Sequence, residues 1–241
     1  MASTHFDPNI YYGIHVIPSM DGIKAVGFDL DGTFMKTRVD YTKLNDADRQ
    51  VCLSFGIPFD EIDFGDSPKR PRAPIRRWLE ENGRGDEYQK VSDAIDRAFT
   101  DCEVEFVSEA EPFPGSAECL QTIKSKGLKV GILTRGSLEY ARRALGPLFD
   151  EFDVVMGRDH SDYDNAKPSP KAMEEFAEEL GVNPSEILYV GDNTTDWCSA
   201  HGAGAVFVGV RTGSGSDKVW RDADPSIPVI DYAGDVVTLL D

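Results

Sequence analysis

Residues 27–33 read GFDLDGT, so two carboxylates, Asp29 and Asp31, stand two positions apart at the tip of an apolar run. Carboxylates so placed can act as a nucleophile, as a proton donor and acceptor, or as ligands to a hard divalent cation. A surface turn accounts for one acid and a glycine. It does not account for Lys24–Phe28, which reads as a buried strand carrying both acids to its end. Three more segments bring chemistry of the same kind. Thr134 follows the apolar Val130–Leu133, and Asp192 follows Tyr189–Gly191 with Asp196 four residues further on. Lys167 sits in the loop Ala166–Pro170, ahead of the helical stretch that leads to Asp192. Taken singly, each has a plainer reading. Asp29 and Asp31 make a capped turn, Thr134 a helix N-cap, Lys167 a solvated lysine, and Asp196 an acid at a helix start.

The elements that must position these side chains show in the periodicity. Apolar runs at Ala25–Leu30, Lys129–Leu133, Val154–Met156, Ile187–Val190 and Ala205–Val210 suit buried parallel strands. Helical patterns fall between the later runs: Ser116–Lys126 stops at Gly127, Ser137–Leu145 at Gly146, and Pro170–Leu180 at Gly181. This alternation predicts an α/β fold with a Rossmann-like parallel sheet. Ligands of such sheets bind outside the carboxyl ends of the strands, where all the candidates stand. From Lys36 to about Pro112 the strand-like runs vanish, and Tyr41–Phe55, Ala73–Glu81 and Glu87–Phe106 read as helices. The expected organisation is a leader (1–22) of no assigned role, an α/β core (23–37 and 112–241) and an inserted helical cap (38–111). Hinges are expected near Thr37–Asp40 and Ser108–Pro114.

Asp29-Leu30-Asp31-Gly32-Thr33, Thr134 behind its strand, Lys167 before a proline, and Gly191-Asp192-x-x-x-Asp196 resemble the four ordered motifs of the haloacid dehalogenase superfamily of phosphatases. The helical insert resembles the cap that the superfamily places between its first and second motifs, as in phosphoglycolate phosphatase-like members. The likeness runs from Lys24 to the end of the chain. It implies Mg²⁺-dependent hydrolysis of a small organic phosphate, phosphoglycolate-like or a sugar phosphate, through an aspartyl-phosphate. In that scheme Asp29 is the nucleophile, and Asp31 protonates the departing alkoxide and then activates water. The metal falls to the Asp29 side chain, the Asp31 carbonyl and Asp192, with Asp196 acting through water or orienting the others. Lys167 neutralises phosphoryl charge, while the Thr134 hydroxyl and the N–H groups of Arg135 and Gly136 bind phosphoryl oxygens. The dehalogenase branch lacks the second acid, so Asp31 favours phosphoryl chemistry. The rivals are a phosphomutase with the same Asp pair and a catalytically idle phospho-ligand-binding relative. A phosphonate hydrolase would need a cap lysine, for which Lys43, Lys69 and Lys90 are available.

Composition narrows the partners. The 241 residues carry a net charge of -18, which repels nucleic acid and anionic membrane; a small phosphorylated metabolite is the partner that the resemblance implies. Asp outnumbers Glu by 27 to 16 and Arg outnumbers Lys by 14 to 11, a balance that either a salt-rich cytoplasm or ordinary acidic drift produces. Four scattered cysteines without a C-x-x-C pair predict reduced thiols in the cytoplasm, and the first 20 residues lack the pattern of a secretory signal. One basic run breaks the acidic background: Lys69-Arg70-Pro71-Arg72 with Arg76-Arg77. It reads first as a solvated helix start paired with Glu80, Glu81 and neighbouring acids. Its functional reading is a specificity surface of Arg70, Arg72, Arg76 and Arg77 facing an anionic substrate.

Overall fold

The computed structural model describes residues 20–65 and 70–240, so Lys69 and nearly all of the leader lie outside the described residues. β1 (Ala25–Phe28) and β2 (Met35–Lys36) precede three helices, α1 (Tyr41–Ser54), α2 (Ala73–Glu81) and α3 (Tyr88–Val104). β3 (Glu111–Pro112), α4 (Ser116–Ser125), β4 (Lys129–Leu133), α5 (Leu138–Leu145) and β5 (Val154–Met156) follow. The chain continues through α6 (Pro170–Leu180), β6 (Ile187–Gly191), α7 (Thr194–Ala203), β7 (Val206–Val210), α8 (Asp217–Ala223) and β8 (Val229–Ile230).

Six strands form a parallel sheet in the order β5-β4-β1-β6-β7-β8. The chain winds from β1 first towards β5 and then back across to β8, so the switch point of the topology is at β1. Register aligns Phe28 with Ile132 on one side and Val190 on the other. The residues just past these pairs therefore emerge side by side.

Alternation on the pleat separates two cores. Val26, Phe28, Val130, Ile132, Leu188 and Val190 pack against Leu120 and Ile123 of α4 and Tyr140 and Leu145 of α5. Tyr189 and Phe207 face the other way, onto Met173 and Phe176 of α6 and Trp220 of α8. The three helices after β2 bury a core of their own, built from Cys52, Ile57, Leu79, Val91 and Ile95. A two-residue antiparallel ribbon, Met35 opposite Pro112 and Lys36 opposite Glu111, stands where the chain leaves the sheet and returns.

Two details differ from the sequence expectation. The apolar run at Ala25–Leu30 suggested a longer strand, but β1 ends at Phe28 because the chain folds back, Met35 N–H donating to the Leu30 carbonyl at 2.8 Å. Leu30 is buried inside that turn. Short elements such as β2, β3 and β8 left no periodic signal, since two residues cannot show an alternation. Among the described residues no helix is long and apolar enough to cross a membrane.

Candidate active site

A cleft of about 900 Å³ opens at the carboxyl ends of β1, β4 and β6. Asp29, Asp31, Thr134, Arg135, Lys167, Asp192 and Asp196 line it from the sheet side. Tyr41, Leu44, Asn45 and Asp48 line it from the helical side, and their spacing of three, one and three residues puts all four on one face of α1.

Lys167 organises the floor. Its ammonium, almost wholly buried, donates to Asp29 Oδ1 and Asp196 Oδ1 at 2.6 Å each and to the Leu133 carbonyl at 2.7 Å. Tyr189 Oη lies 2.9 Å away and donates its own hydrogen bond to the same carbonyl at 2.8 Å. Burial by itself would lower the Lys167 pKa; Asp196 and Asp29 outweigh it and hold the ammonium well above its ordinary value. For Asp29, burial pushes the carboxyl well above the carboxylate range; Lys167 pulls it down, and Asp196, Asp192 and Asp31 push it up again. Asp192 is raised to about 6, by burial first and Asp196 second. Three acids share this floor with a single ammonium.

The acids are held differently. Asp192 Oδ2 accepts from the Ser214 N–H at 2.6 Å and its hydroxyl at 2.8 Å, while Oδ1 accepts from Thr33 at 3.2 Å. Both oxygens of Asp196 are engaged, Oδ1 by Lys167 and Oδ2 by the Asn193 N–H at 3.0 Å. Among the described residues Asp29 Oδ2 receives no hydrogen bond. Oxygens of Asp29, Asp192 and Asp196 all lie within 4.8 Å of one another, so carboxylates alone converge here. Such a set suits a hard cation that prefers oxygen. Gly32 permits the crowding. Its φ is +79°, and a Cβ there would come within 2.8 Å of Asp192 Oδ2 and 2.9 Å of Gly213 Cα.

Thr134 is buried at the end of β4. Its hydroxyl accepts the Gly136 N–H at 3.0 Å, so that amide already has a partner in this structure. The Arg135 guanidinium donates to the Lys167 carbonyl at 2.6 Å and to Tyr163 Oη at 3.1 Å, bracing the loop that presents Lys167. Among the described residues of the basic run only Arg70 lines the cleft, donating to Asp48 Oδ1 at 2.8 Å. Arg72 is buried and spent on both oxygens of Asp96 at 2.8 Å and on Ser92 at 2.8 Å. Arg76 pairs with Asp162 and lies over Tyr88, and Arg77 is exposed away from the cleft. The partners of the run are thus Asp48, Asp96 and Asp162 rather than Glu80 and Glu81. Asp48 comes from α1, Asp96 from α3 and Asp162 from the loop after β5.

Several site residues escaped the sequence reading. Asp31 Oδ1 accepts from Tyr140 Oη at 2.5 Å and from Thr37 Oγ1 at 2.7 Å. Ser214 and Gly213 come from a loop with no motif of its own. Thr33 bonds to Asp192, 159 residues away, rather than within its own turn. Arg158 is buried against Glu103 and Asp96, tying α3 to the loop after β5. Tyr140, Thr33 and Arg158 had no local signal, because their partners lie far off in sequence.

A family model described as haloacid dehalogenase-like hydrolase matches residues 23–204. Phosphatase MT3486 of Mycobacterium tuberculosis (strain CDC 1551 / Oshkosh) is 31% identical, over 88% of this chain and 99% of its own length. Phosphoglycolate phosphatase 1 of Pseudomonas aeruginosa is 27% identical, over 90% of this chain and 80% of its own. Among solved structures, a β-phosphoglucomutase from Clostridium difficile shares the fold with a TM-score of 0.57 at 22% identity, covering 89% of this chain and 93% of that one.

Proposed function

Since the chain belongs to the haloacid dehalogenase-like hydrolase family, we propose that it is a Mg²⁺-dependent phosphatase of small organic phosphate monoesters, working through an aspartyl-phosphate on Asp29. The observation that carries this reading is the floor of the cleft, where Asp29, Asp192 and Asp196 converge around the Lys167 ammonium. Names of relatives support the reaction class, and the phosphoglycolate phosphatases among them support a small substrate. The reduced cysteines suit the cytoplasm.

Asp29 Oδ2 attacks phosphorus while Lys167 holds Oδ1, which fixes the direction of attack. As the P–O bond to the leaving group breaks, Asp31 gives its proton to the departing alkoxide. Asp31, now a carboxylate, takes a proton from water, and the hydroxide equivalent cleaves the aspartyl-phosphate to release phosphate and restore Asp29. Thr134 and the N–H of Arg135 receive the phosphoryl oxygens, with Gly136 contributing once its amide leaves the Thr134 hydroxyl. The all-oxygen set fits Mg²⁺, held by Asp29, Asp192 and the Asp31 carbonyl, with Asp196 orienting the site because both its oxygens are engaged. When bound, Mg²⁺ supplies the charge compensation that lets a carboxylate meet a phosphate dianion. The helical segment 38–111 acts as the cap, presenting one face of α1 to the leaving group.

The test is phosphate release from a panel of esters by the purified protein, with Mg²⁺ and with chelator, alongside Asp29→Asn. Turnover that needs Mg²⁺ and disappears in the variant is expected. No turnover of any ester, or a variant within about tenfold of the parent, defeats the proposal.

A further inference from the structure

Tyr140 sits in the first turn of α5 and is buried in the core under the sheet, yet its hydroxyl reaches into the cleft. The path of its ring depends on a residue four positions earlier: a Cβ at Gly136 would come within 2.6 Å of Tyr140 Cδ1. The ring passes over that glycine, and its Oη lies 2.5 Å from Asp31 Oδ1. Thr37 Oγ1 approaches the same oxygen at 2.7 Å, from the connection between β2 and α1. Two hydroxyl donors therefore grip one oxygen of Asp31. Oδ2 receives no hydrogen bond among the described residues, although Asp31 lines the cleft.

We infer that Tyr140 is a positioning residue for the acid–base step, turning Asp31 so that Oδ2, and not Oδ1, faces the leaving group and carries the transferred proton. The inference rests on the acid–base reading of Asp31 given above. In the first half-reaction the proton moves from Oδ2 to the alkoxide as the P–O bond breaks and the Asp29–phosphorus bond forms. In the second, Oδ2 takes a proton from water as the water oxygen bonds to phosphorus and Asp29 leaves. Oδ1 accepts from the same two hydroxyls throughout, so the carboxyl need not rotate between the steps. A phenol ordinarily keeps its proton at neutral pH, so Tyr140 stays a donor in both steps. A core tyrosine satisfied by the nearest acceptor would show the same distances, and the leaving group separates the two roles.

Tyr140→Phe removes the hydroxyl and keeps the ring. The measurement is kcat/KM with Mg²⁺ for an alkyl phosphate, whose alkoxide needs a proton, and for p-nitrophenyl phosphate, whose phenolate does not. This constant covers events up to departure of the leaving group, so slow hydrolysis of the intermediate does not blur it. The alkyl ester should lose roughly tenfold or more, the scale of one hydrogen bond to a charged group, and the nitrophenyl ester much less. Asp31→Asn should split the two esters in the same sense, only further. Gly136→Ala, which pushes the ring aside, should also move the ratio that way. If Asp31→Asn splits the esters and Tyr140→Phe lowers both equally or neither, the inference is wrong while the phosphatase reading stands. If the parent hydrolyses no phosphate ester, the phosphatase reading itself fails. An unchanged ratio in Gly136→Ala also counts against the inference.

Discussion

Lys167→Met removes a buried ammonium while leaving a chain of similar length in its place. The ammonium has four oxygen neighbours between 2.6 and 2.9 Å, two of them carboxylate oxygens. Deleting one partner of a buried ion pair costs about 3–5 kcal/mol, because the charge left behind has neither water nor a counter-ion. For a chain of this size each kcal/mol moves the melting temperature by ~2–4 °C, so a fall of roughly 6–20 °C is expected near neutral pH in chelator. The pH dependence has a definite sign. Lys167 is raised above an ordinary value of 10.5, so its own charge is constant across the acidic and neutral range. Asp29 is raised well above 3.8 and Asp192 to about 6, so both hold protons in the fold at a pH where the unfolded chain has released them. Stability from these two acids therefore falls as pH rises through that window, more steeply without the ammonium. The deficit of Lys167→Met should be larger near about pH 7.5 than near about pH 5, and Mg²⁺ should return part of it. Differential scanning calorimetry at both pH values, with chelator and with Mg²⁺, makes the comparison. A variant melting within about 2 °C of the parent near neutrality, or a deficit that ignores pH, would refute the view that Lys167 neutralises the acidic floor.

Chelation should silence ester hydrolysis, with Mg²⁺ restoring it and Ca²⁺ restoring it poorly because of its larger, looser shell; full activity in excess chelator contradicts the site. Arg72→Ala should destabilise by about 1–3 kcal/mol in urea titration, since it removes a buried guanidinium from Asp96 and Ser92 while Arg158 still pairs with Asp96. Arg70→Ala, at a side chain 41% exposed, should cost under about 1 kcal/mol. It should instead change the kcat/KM ratio between an anionic and a neutral leaving group; an unchanged ratio removes Arg70 from recognition. Gly32→Ala places a methyl against Asp192 at a positive φ and should cost about 1–3 kcal/mol and most of the activity. Parent-like melting and turnover in that variant would show that the two glycine turns can part.

What the sequence determined by itself is whatever local periodicity and punctuation encode. Lys129–Leu133, Val154–Met156, Ala73–Glu81 and Pro170–Leu180 form as read, because burial on one or both faces leaves a repeat in the chain. The placement of Asp29, Thr134 and Asp192 was legible for a related reason: a parallel strand ends in the cleft, and the residue after it inherits that address. Asp196 followed from its spacing to Asp192, and Lys167 from its place before a proline in the ordered motifs that resemble the haloacid dehalogenase superfamily. Tertiary structure alone decided the partners. Tyr140 stands 109 residues from Asp31, and Ser214 stands 22 from Asp192 in a loop without periodicity. The basic run was visible as composition, but its division into a cleft residue, a buried tie and a surface pair depended on how α1, α2 and α3 pack. A run of like charge fixes how much charge there is, not which acid lies opposite each arginine. Directional bonds between distant residues leave no mark in either neighbourhood, so the bond from Tyr140 to Asp31 appeared only once the chain was folded.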